Sequence, residues 1–217
     1  MFDEVADTYV DSLRRNHRFI PGSINWYSEY KVQITSKLIS SSPKKILDFG
    51  CGIGLSVPHL HHFFPSSEIF AEDTSNNSID IALKSFSFLQ FGKNVSGFDL
   101  IFVAGVFHHI PSSDRELVLQ QLTSRLNPGG QIQIFEHNPF NPITRRLVST
   151  CEFDQDAELI SKASMIKLLQ RSSELRLIKN RYCLYFPPLF RSLSFFERFL
   201  SLIPLGGQYF VLVKKLD

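Results

Sequence analysis

The stretch that decides the fold is Ile46-Leu47-Asp48-Phe49-Gly50-Cys51-Gly52-Ile53-Gly54. Two apolar residues and an aspartate lead into glycine at every second position. This pattern predicts a short buried strand followed by a loop too tight for side chains. Residues 55–64 can form a helix after the loop, with Pro58 in its first turn. A strand, a glycine loop and a helix are typical of the ligand-binding corner of a doubly wound α/β fold.

Two well-known glycine loops do not fit this corner. The dinucleotide fingerprint requires Gly or Ala at position 55, where this chain has Leu55. The phosphate-binding loop, with its lysine followed by serine or threonine, is also absent. A Rossmann-type oxidoreductase is therefore disfavoured.

Residues 48–54 instead resemble motif I of the class I S-adenosylmethionine-dependent methyltransferases. In that family the loop passes under the methionine half of the cofactor. The alternative is a βα turn of some other Rossmann-like protein. The resemblance implies that five residues of the loop bind the cofactor: Asp48, Gly50, Cys51, Gly52 and Gly54.

The next predicted strand, residues 68–75, ends in acidic residues about 20 positions after the glycine loop. A carboxylate there can accept hydrogen bonds from both ribose hydroxyls. The resemblance assigns this role to Asp73, with Thr74 beside it, whereas a shift of one residue would select Glu72. The alternative role for Asp73 is to cap the following helix.

Recognition of adenine is less clearly encoded. Many members of the family carry an acidic residue after strand three, but this chain has no Asp or Glu between Asp80 and Asp99. Gln90 or Asn94 could offer an amide oxygen to the adenine amino group.

Residues 97–105 predict a central fourth strand that is apolar on both faces. With the following Val106-Phe-His-His-Ile-Pro111 they resemble a second region of the same family. Ala104 and Gly105 are expected at the cofactor, because ligands of such folds bind at the carboxyl ends of strands. His108 and His109 are candidate general bases, and the alternative is that they hydrogen-bond the turn after strand four.

Strand five is predicted at residues 131–136 and leads into a loop, Glu136-His-Asn-Pro-Phe-Asn-Pro142, that continues to position 146. The Asn-Pro-Phe sequence invites comparison with DNA amino-methyltransferases, but their motif follows strand four. The run through Ala157 resembles bacterial small-molecule methyltransferases. Candidate substrate contacts are Glu136, His137, Asn138 and Arg145, and stapling of the loop by its Asn and Pro residues is the alternative.

The remaining elements follow from local patterns. Ser113-Asp-Arg-Glu116 has the pattern of a capping box that begins a helix ending near Leu126. Residues 175–184 and 208–215 predict the last two strands, and the resemblance makes the final one antiparallel.

Two segments predict helices outside the sheet. Residues 1–42 are expected to form an N-terminal helical lid, and residues 187–205 a helical insertion before the last strand. The helix predicted at 189–203 has an unusually wide apolar stripe. Core packing, a homodimer face, a cap over an apolar substrate and peripheral membrane contact all remain open for it.

Composition bounds the class of protein. At 217 residues, with 43% apolar and 20% charged residues, the chain is expected to form one globular domain. The net charge of +2 gives no reason to expect nucleic-acid binding. Residues 140–217 are nevertheless basic, with 12 Lys and Arg against 7 Asp and Glu.

The cysteines and the first residues of the sequence indicate the cellular compartment in which the protein is expected. Cys51, Cys151 and Cys183 are odd in number and lack metal-ligand spacing, so neither a disulfide framework nor a metal site is expected. The first ten residues do not resemble a signal peptide. We therefore expect a cytoplasmic protein.

These observations predict a single α/β domain over 1–217, a doubly wound seven-stranded sheet, mostly parallel, with helices on both faces and an antiparallel last strand. The resemblance implies transfer of a methyl group from S-adenosyl-L-methionine to a small-molecule or lipid-linked acceptor. A non-catalytic, cofactor-binding accessory subunit with the same fold is the main alternative.

Overall fold

The computed structural model describes residues 23–39, 41–151, 154 and 156–217. Of the helical lid expected at residues 1–42, residues 1–22 and 40 lie outside the described residues, and Ser23–Leu38 form a helix. The strands are β1 (Lys45–Phe49), β2 (Glu68–Glu72), β3 (Gln90–Phe91), β4 (Phe98–Ala104), β5 (Leu126–His137), β6 (Leu175–Cys183) and β7 (Gln208–Lys215). The α-helices are α1 (Ser23–Leu38), α2 (Val57–Phe63), α3 (Asn76–Ser85), α4 (Arg115–Ser124), α5 (Pro142–Thr150), α6 (Lys162–Leu169) and α7 (Glu197–Leu200).

The described strands form one seven-stranded sheet in the order β3-β2-β1-β4-β5-β7-β6. Strand β7 runs antiparallel to both of its neighbours, and the other pairs are parallel. The order reverses between β1 and β4, which is where ligands bind in such sheets. The predicted fold class is confirmed.

Strand β4 lies at the centre because both of its faces are apolar. Phe98, Leu100, Ile101, Phe102 and Val103 are all fully buried. Alternate residues of the strand point to opposite faces, so Ile101 and Val103 belong to one hydrophobic cluster, and Leu100 and Phe102 to the other. Because side chains cover both faces of β4, a ligand is expected at the carboxyl edge of the sheet.

The glycine loop holds the carboxyl ends of β1 and β2 together. The N–H groups of Gly50 and Cys51 donate to the carbonyl of Glu72 at 2.7 and 3.1 Å. Gly50 has a φ of +69°, and a Cβ there would lie 2.5 Å from Val106 Cγ2. Glycine is therefore required at position 50 both by the backbone conformation and by the close approach of the turn after β4.

Helix α4 begins in a different way from the one predicted. It starts at Arg115, after Asp114, and no side chain caps its first turn. The hydroxyl of Ser113 donates instead to Asp114 Oδ1 at 2.9 Å, so the predicted capping box is wrong. The guanidinium of Arg115 is buried and donates to the carbonyls of Phe107, Ile110 and Glu158, and these tertiary contacts place the helix start.

The connection between β6 and β7 departs from the single helix predicted at 189–203. It contains a 3₁₀-helix, Pro188–Phe196, interrupted at Phe190, and then the four-residue α7. The apolar side chains therefore do not form one continuous α-helical stripe. In the described part of the chain, no helix is both long and apolar enough to cross a bilayer.

Glu197 attaches this connection to the rest of the domain. Its buried carboxylate accepts from the N–H groups of Tyr185 at 2.9 Å and Phe186 at 3.3 Å, and from the hydroxyl of Tyr30 on α1. One carboxylate thus joins α1, the end of β6 and the inserted helices.

Replacing Glu197 with Ala is expected to lower the free energy of unfolding by about 2–4 kcal/mol, because three donors lose their acceptor. Urea unfolding of the variant measures the loss. Glu116→Ala is a matched control, since Glu116 forms an exposed ion pair with Arg171 and its loss should cost less than about 1 kcal/mol. Equal losses in the two variants would contradict the anchoring role of Glu197.

Candidate active site

A cleft of about 400 Å³ lies at the carboxyl ends of β4 and β5. Its inner wall is formed by Ala104, Gly105 and a cluster of histidines, and its outer part by apolar side chains of α5 and of the connection before β7. The polar side chains that line the cleft include Lys31, His108, His109, His137, Asn141, Thr144 and Asp154, and the apolar ones include Ile143, Leu147, Phe186 and Pro187.

The inner wall is organised by Glu136 at the end of β5. Its Oε1 accepts from the N–H groups of Val106 and Phe107 at 2.9 and 2.7 Å, and its Oε2 is 2.7 Å from His108 Nδ1. Although burial alone raises it, the charge and hydrogen bond of His108 hold the pKa of Glu136 below its usual range. Glu136 is therefore an ionised group behind the wall of the cleft, and it orients the turn after β4.

His108 lies between two carboxylates. Its Nε2 is 3.5 Å from Asp154 Oδ1, on the side opposite Glu136. Burial lowers the pKa of His108, but the two carboxylates outweigh burial and raise it to about 9. The His108 side chain is 2% exposed and is held as an imidazolium at neutral pH.

His109 and His137, unlike His108, are neutral at physiological pH. Burial, followed by repulsion from the charged His108, lowers the pKa of each to about 4. His109 is the more accessible, at 25% exposure, and its Nε2 lies 3.4 Å from Asp154 Oδ1. The cleft thus contains a neutral imidazole beside an ionised carboxylate, which is the pairing that accepts a proton from a bound hydroxyl or amine.

The same groups are spaced closely enough for a metal ion. Donor atoms of His108, His137 and Asp154 lie within 4.8 Å of one another. The Glu136 contact to His108 has the form of a carboxylate that orients a metal-bound histidine. A metal ion bound there would take the place of the proton that His108 carries between the two carboxylates.

The glycine loop leaves room for a ligand. Gly52 has a φ of +53°, and a Cβ built there meets no described atom within 4 Å. The Gly52 N–H donates to Asp73 Oδ2 at 2.7 Å, while Asp73 Oδ1 accepts from Ser75 N at 2.9 Å. A carboxylate has about four lone-pair sites, so Asp73 can still accept two ribose hydroxyls.

Of the two acidic residues after β2, Asp73 is the one that contacts the glycine loop. Glu72 is paired with Arg125, whose Nη1 lies 2.8 Å from Glu72 Oε2. Arg125 also donates to the carbonyls of Val95 and Gly92, so Glu72 belongs to the support of the loop before β4. This arrangement favours the assignment of the ribose to Asp73 over the shifted one.

Asp48, at the end of β1, has a buried carboxylate beside the glycine loop. Its carboxylate is 2% exposed, and Oδ2 has no hydrogen-bond partner among the described residues. Burial, and then repulsion from Asp73, raise the pKa of Asp48 to about 7, whereas Lys31 opposes the shift. A buried carboxylate with one oxygen unbonded, beside an open glycine cradle, fits a ligand that carries a cationic amino group, as S-adenosylmethionine does.

The other predicted site residues are spread over the carboxyl edge. Ala104 and Gly105 line the cleft, whereas Thr74 and Gln90 are exposed at the β2–β3 side of the sheet. Asn138 is fully buried, and its amide donates to the carbonyls of Pro204 and Gly206 while its Oδ1 accepts from Phe140 N. Arg145 is exposed on α5.

Sequence reasoning missed two charged residues of the cleft, Asp154 and Lys31. Asp154 belongs to a run that carried no assignment, and only the fold brings it to His108. Lys31 lies on the same helical face as Tyr27, Ile34 and Leu38, so a lysine within an apolar stripe was the available signal. Burial lowers the pKa of Lys31, opposed by Cys183, Glu136 and Asp48.

The raised pKa of His108 makes a prediction about stability. A histidine whose folded pKa exceeds its unfolded value contributes stability fully below the unfolded pKa, near 6.5, and loses that contribution as pH rises through about 9. His108→Gln should therefore lower the free energy of unfolding more at pH 6 than at pH 9.5, by a difference on the order of 2 kcal/mol. Urea unfolding at the two pH values measures this, and an equal loss at both would contradict the imidazolium assignment.

Comparisons of the sequence with known proteins indicate a methyltransferase domain in the part of the chain that carries the glycine loop. A family model described as a methyltransferase domain matches residues 47–132, from β1 into β5. An uncharacterized protein of Synechococcus is 32% identical over 132 residues, which cover 53% of this chain and 31% of that protein. An uncharacterized protein of Rickettsia prowazekii is 29% identical over 99 residues, covering 40% of each chain. The chain thus spans less than half the length of the curated relatives it matches.

Solved structures share the fold over nearly the whole chain. The plantazolicin methyltransferase BpumL in complex with SAH superposes with a TM-score of 0.62 at 18% identity, covering 99% of this chain and 90% of that one. The N-methyltransferase NodS from Bradyrhizobium japonicum, in complex with S-adenosyl-L-homocysteine, has a TM-score of 0.62 at 15% identity, covering 92% and 91%. A SAM-dependent methyltransferase from Archaeoglobus fulgidus has a TM-score of 0.64 at 13% identity, covering 88% and 94%.

The family expected from the glycine loop is thereby confirmed, since the matched region contains that loop, the β4 turn and the histidine pair. Residues 47–132 of the chain therefore match a methyltransferase domain, and the chain has the fold of solved S-adenosylmethionine-dependent methyltransferases.

Proposed function

We propose that the protein transfers a methyl group from S-adenosylmethionine to an oxygen or nitrogen atom of an amphiphilic acceptor, either a small molecule or a lipid-linked one. The observation that carries this proposal is one cleft that joins the end of β4, the neutral His109 beside Asp154, and an apolar mouth. The end of β4 would face the cofactor, His109 would face the nucleophile, and the apolar mouth would hold the apolar part of the acceptor.

The residues that would hold the cofactor surround the glycine loop. Asp73 would accept the ribose hydroxyls, and Asp48 would neutralise the cationic amino group. When bound, the cofactor supplies a methyl group already activated by its sulfonium. The protein therefore has mainly to position the acceptor and to remove a proton where the nucleophile carries one.

His109 is the proton acceptor in this proposal. It is neutral at physiological pH and accessible from the cleft, and the carboxylate of Asp154 stabilises the charge that appears when it takes a proton. His108 acts differently, because it already carries a proton. Placed between Glu136 and Asp154, it is a positioning residue that orients Asp154 toward His109.

The composition of the cleft favours an acceptor with a polar reactive end and an apolar body. The polar His108 is 2% exposed, whereas the apolar Ile143 and Leu147 are 70% and 41% exposed, so the apolar part of the lining is the outer part. An acceptor of this kind would bury its apolar part where the wall is apolar and present its nucleophile to the histidine pair. Lys31 would favour an acidic group next to that nucleophile.

The similar structures support the reaction without deciding the acceptor atom. NodS is described as an N-methyltransferase, and another neighbour, from Nostoc punctiforme, as a putative O-methyltransferase. The neutral His109 suits either atom, because a protonated amine and a hydroxyl both need a base. A non-catalytic accessory subunit would bind the cofactor without turnover.

The first test concerns the glycine cradle. Gly52→Ala should weaken S-adenosylmethionine binding by about 10- to 100-fold, because the added Cβ enters space that no described protein atom fills. Isothermal titration calorimetry measures the affinity, with NAD(H) as the comparison ligand.

Gly129→Ala is the matched control. Gly129 also has a positive φ, of +74°, but its Cβ would meet only the end of the Lys214 side chain and Asp217, away from the cleft. The control should share the backbone strain and keep the affinity. Unchanged affinity in Gly52→Ala would remove the loop from the cofactor site, and tight binding of NAD(H) would favour an oxidoreductase.

The second test concerns His109. His109→Gln should lower kcat by about 10²–10⁴-fold while leaving the Kd of S-adenosylmethionine unchanged, because it removes a base and not a cofactor contact. Transfer of radiolabelled methyl from the cofactor to lipid and aqueous cell extracts identifies the acceptor fraction and measures the rate.

His62→Gln, on the exposed side of α2, should retain wild-type turnover and controls for handling of the variants. Wild-type turnover in His109→Gln would show that the nucleophile needs no base from this residue. Loss of turnover in EDTA, restored by a divalent ion, would reassign His108, His137 and Asp154 to a metal ion.

A further inference from the structure

Large apolar side chains are exposed in two segments beside the cleft. Of the seventeen large apolar side chains that are exposed in the described part of the chain, twelve lie in residues 140–147 and 189–205. We call these twelve the apolar rim: Phe140, Ile143, Leu147, Leu189, Phe190, Leu193, Phe195, Phe196, Phe199, Leu202, Ile203 and Leu205. A concentration of this kind is unlike the scattered apolar residues of an ordinary protein surface.

The two segments of the apolar rim form one surface. The amide of Asn141, which caps α5, donates to the carbonyl of Leu205 at 2.6 Å. One turn later, the hydroxyl of Thr144 donates to the carbonyl of Gly207 at 2.9 Å. Helix α5 and the connection before β7 are therefore fastened side by side. Ile143 and Leu147 belong both to the rim and to the wall of the cleft, so the rim adjoins the cleft.

The charges within the rim have one sign. Residues 139–151 and 184–207 contain four arginines and no lysine, and their one acidic residue is Glu197. Glu197 is buried and bonded to α1 and to the backbone after β6, so it offers no negative charge to the surface. Arg145 and Arg146 are exposed on α5, and the guanidinium of Arg198 lies 4.0 and 4.5 Å from the rings of Phe195 and Phe199.

We propose that the apolar rim docks the domain on an anionic lipid surface, with the cleft mouth facing the membrane. Aromatic and aliphatic side chains enter the interface, and the arginines contact phosphate headgroups. In this arrangement the short 3₁₀ and α segments of the connection before β7 lie in the plane of the interface.

This proposal rests on the proposed function and narrows its acceptor. A cleft that opens onto a bilayer receives its acceptor from the membrane, so the acceptor is a lipid or lipid-linked molecule whose headgroup bears the nucleophile. The headgroup reaches His109 while the acyl or isoprenoid part remains against Ile143 and Leu147. A protein partner would instead require acidic groups to face the arginines.

The test is sedimentation of the purified chain with vesicles of phosphatidylcholine alone and of phosphatidylcholine mixed with phosphatidylglycerol. The wild-type chain should bind the anionic vesicles more tightly, and added salt should weaken that binding. Phe195→Ser/Phe199→Ser should lower the partition constant at least about tenfold, because two large apolar side chains no longer leave water. Leu202→Ser/Leu205→Ser is a second, independent pair.

Two further variants separate charge from apolar contact. Arg145→Glu/Arg146→Glu should remove the preference for anionic vesicles and leave the weaker binding to neutral ones. Leu117→Ser/Ile178→Ser removes exposed apolar side chains outside the rim and should bind vesicles like the wild type. Circular dichroism establishes that each variant is folded.

The proposal is overturned if the wild-type chain stays in solution with both vesicle types, or if the Leu117/Ile178 control loses as much binding as the rim variants. It is also overturned if light scattering shows a stable dimer that Phe195→Ser/Phe199→Ser dissociates, because the rim would then bind a second copy. Calorimetry with S-adenosylmethionine in the absence of vesicles keeps the two proposals apart. Vesicle binding without cofactor binding refutes the proposed function alone, and the reverse refutes the docking surface alone.

Discussion

The buried carboxylate of Glu136 is the contact on which the site depends. It sits at the end of β5 and receives three donors from the turn after β4, two of them backbone N–H groups. In a low-dielectric interior each of these bonds costs more to break than at the surface. The turn that carries both candidate catalytic histidines is therefore set by the neighbouring strand, and the charge of His108 follows from the same contact.

Much of the fold can be predicted because its signals are local. The glycine loop, the doubly apolar β4 and the strand β7 each carry their pattern within a few residues, and the pattern predicts β7 at its observed bounds, Gln208–Lys215. The predictions fail where a distant group overrides a local preference. Ser113 and Glu116 have the spacing of a capping box, but Arg115 reaches the carbonyls of Phe107 and Glu158, and those bonds determine where α4 begins.

Some residues of the candidate site can be predicted from the sequence, but the contacts that bring them together cannot. The histidine pair and Asp73 stand beside recognisable strand ends, whereas Asp154 lies in a run with no periodic signal and reaches His108 only through the fold. The sequence predicts a loop where α5 lies, because the start of this helix is rich in Asn and Pro. Asn141 as the cap and Pro142 at the first position are in fact signals for a helix start, rather than for a stapled loop.

The position of the inserted segment in the chain has a consequence for how such a domain can diversify. Residues 184–207 join two strands that are neighbours in the sheet, so they form, in topological terms, the loop of a long hairpin. A connection of this length can change in length at little entropic cost, because the cost of closing a loop grows only slowly with its length. The cofactor half, built from β1, β2 and β4, shares none of this segment. Exchange of this segment between homologous chains, with the Glu197 anchor retained, would thus change one wall of the cleft and leave β1, β2 and β4 unaltered.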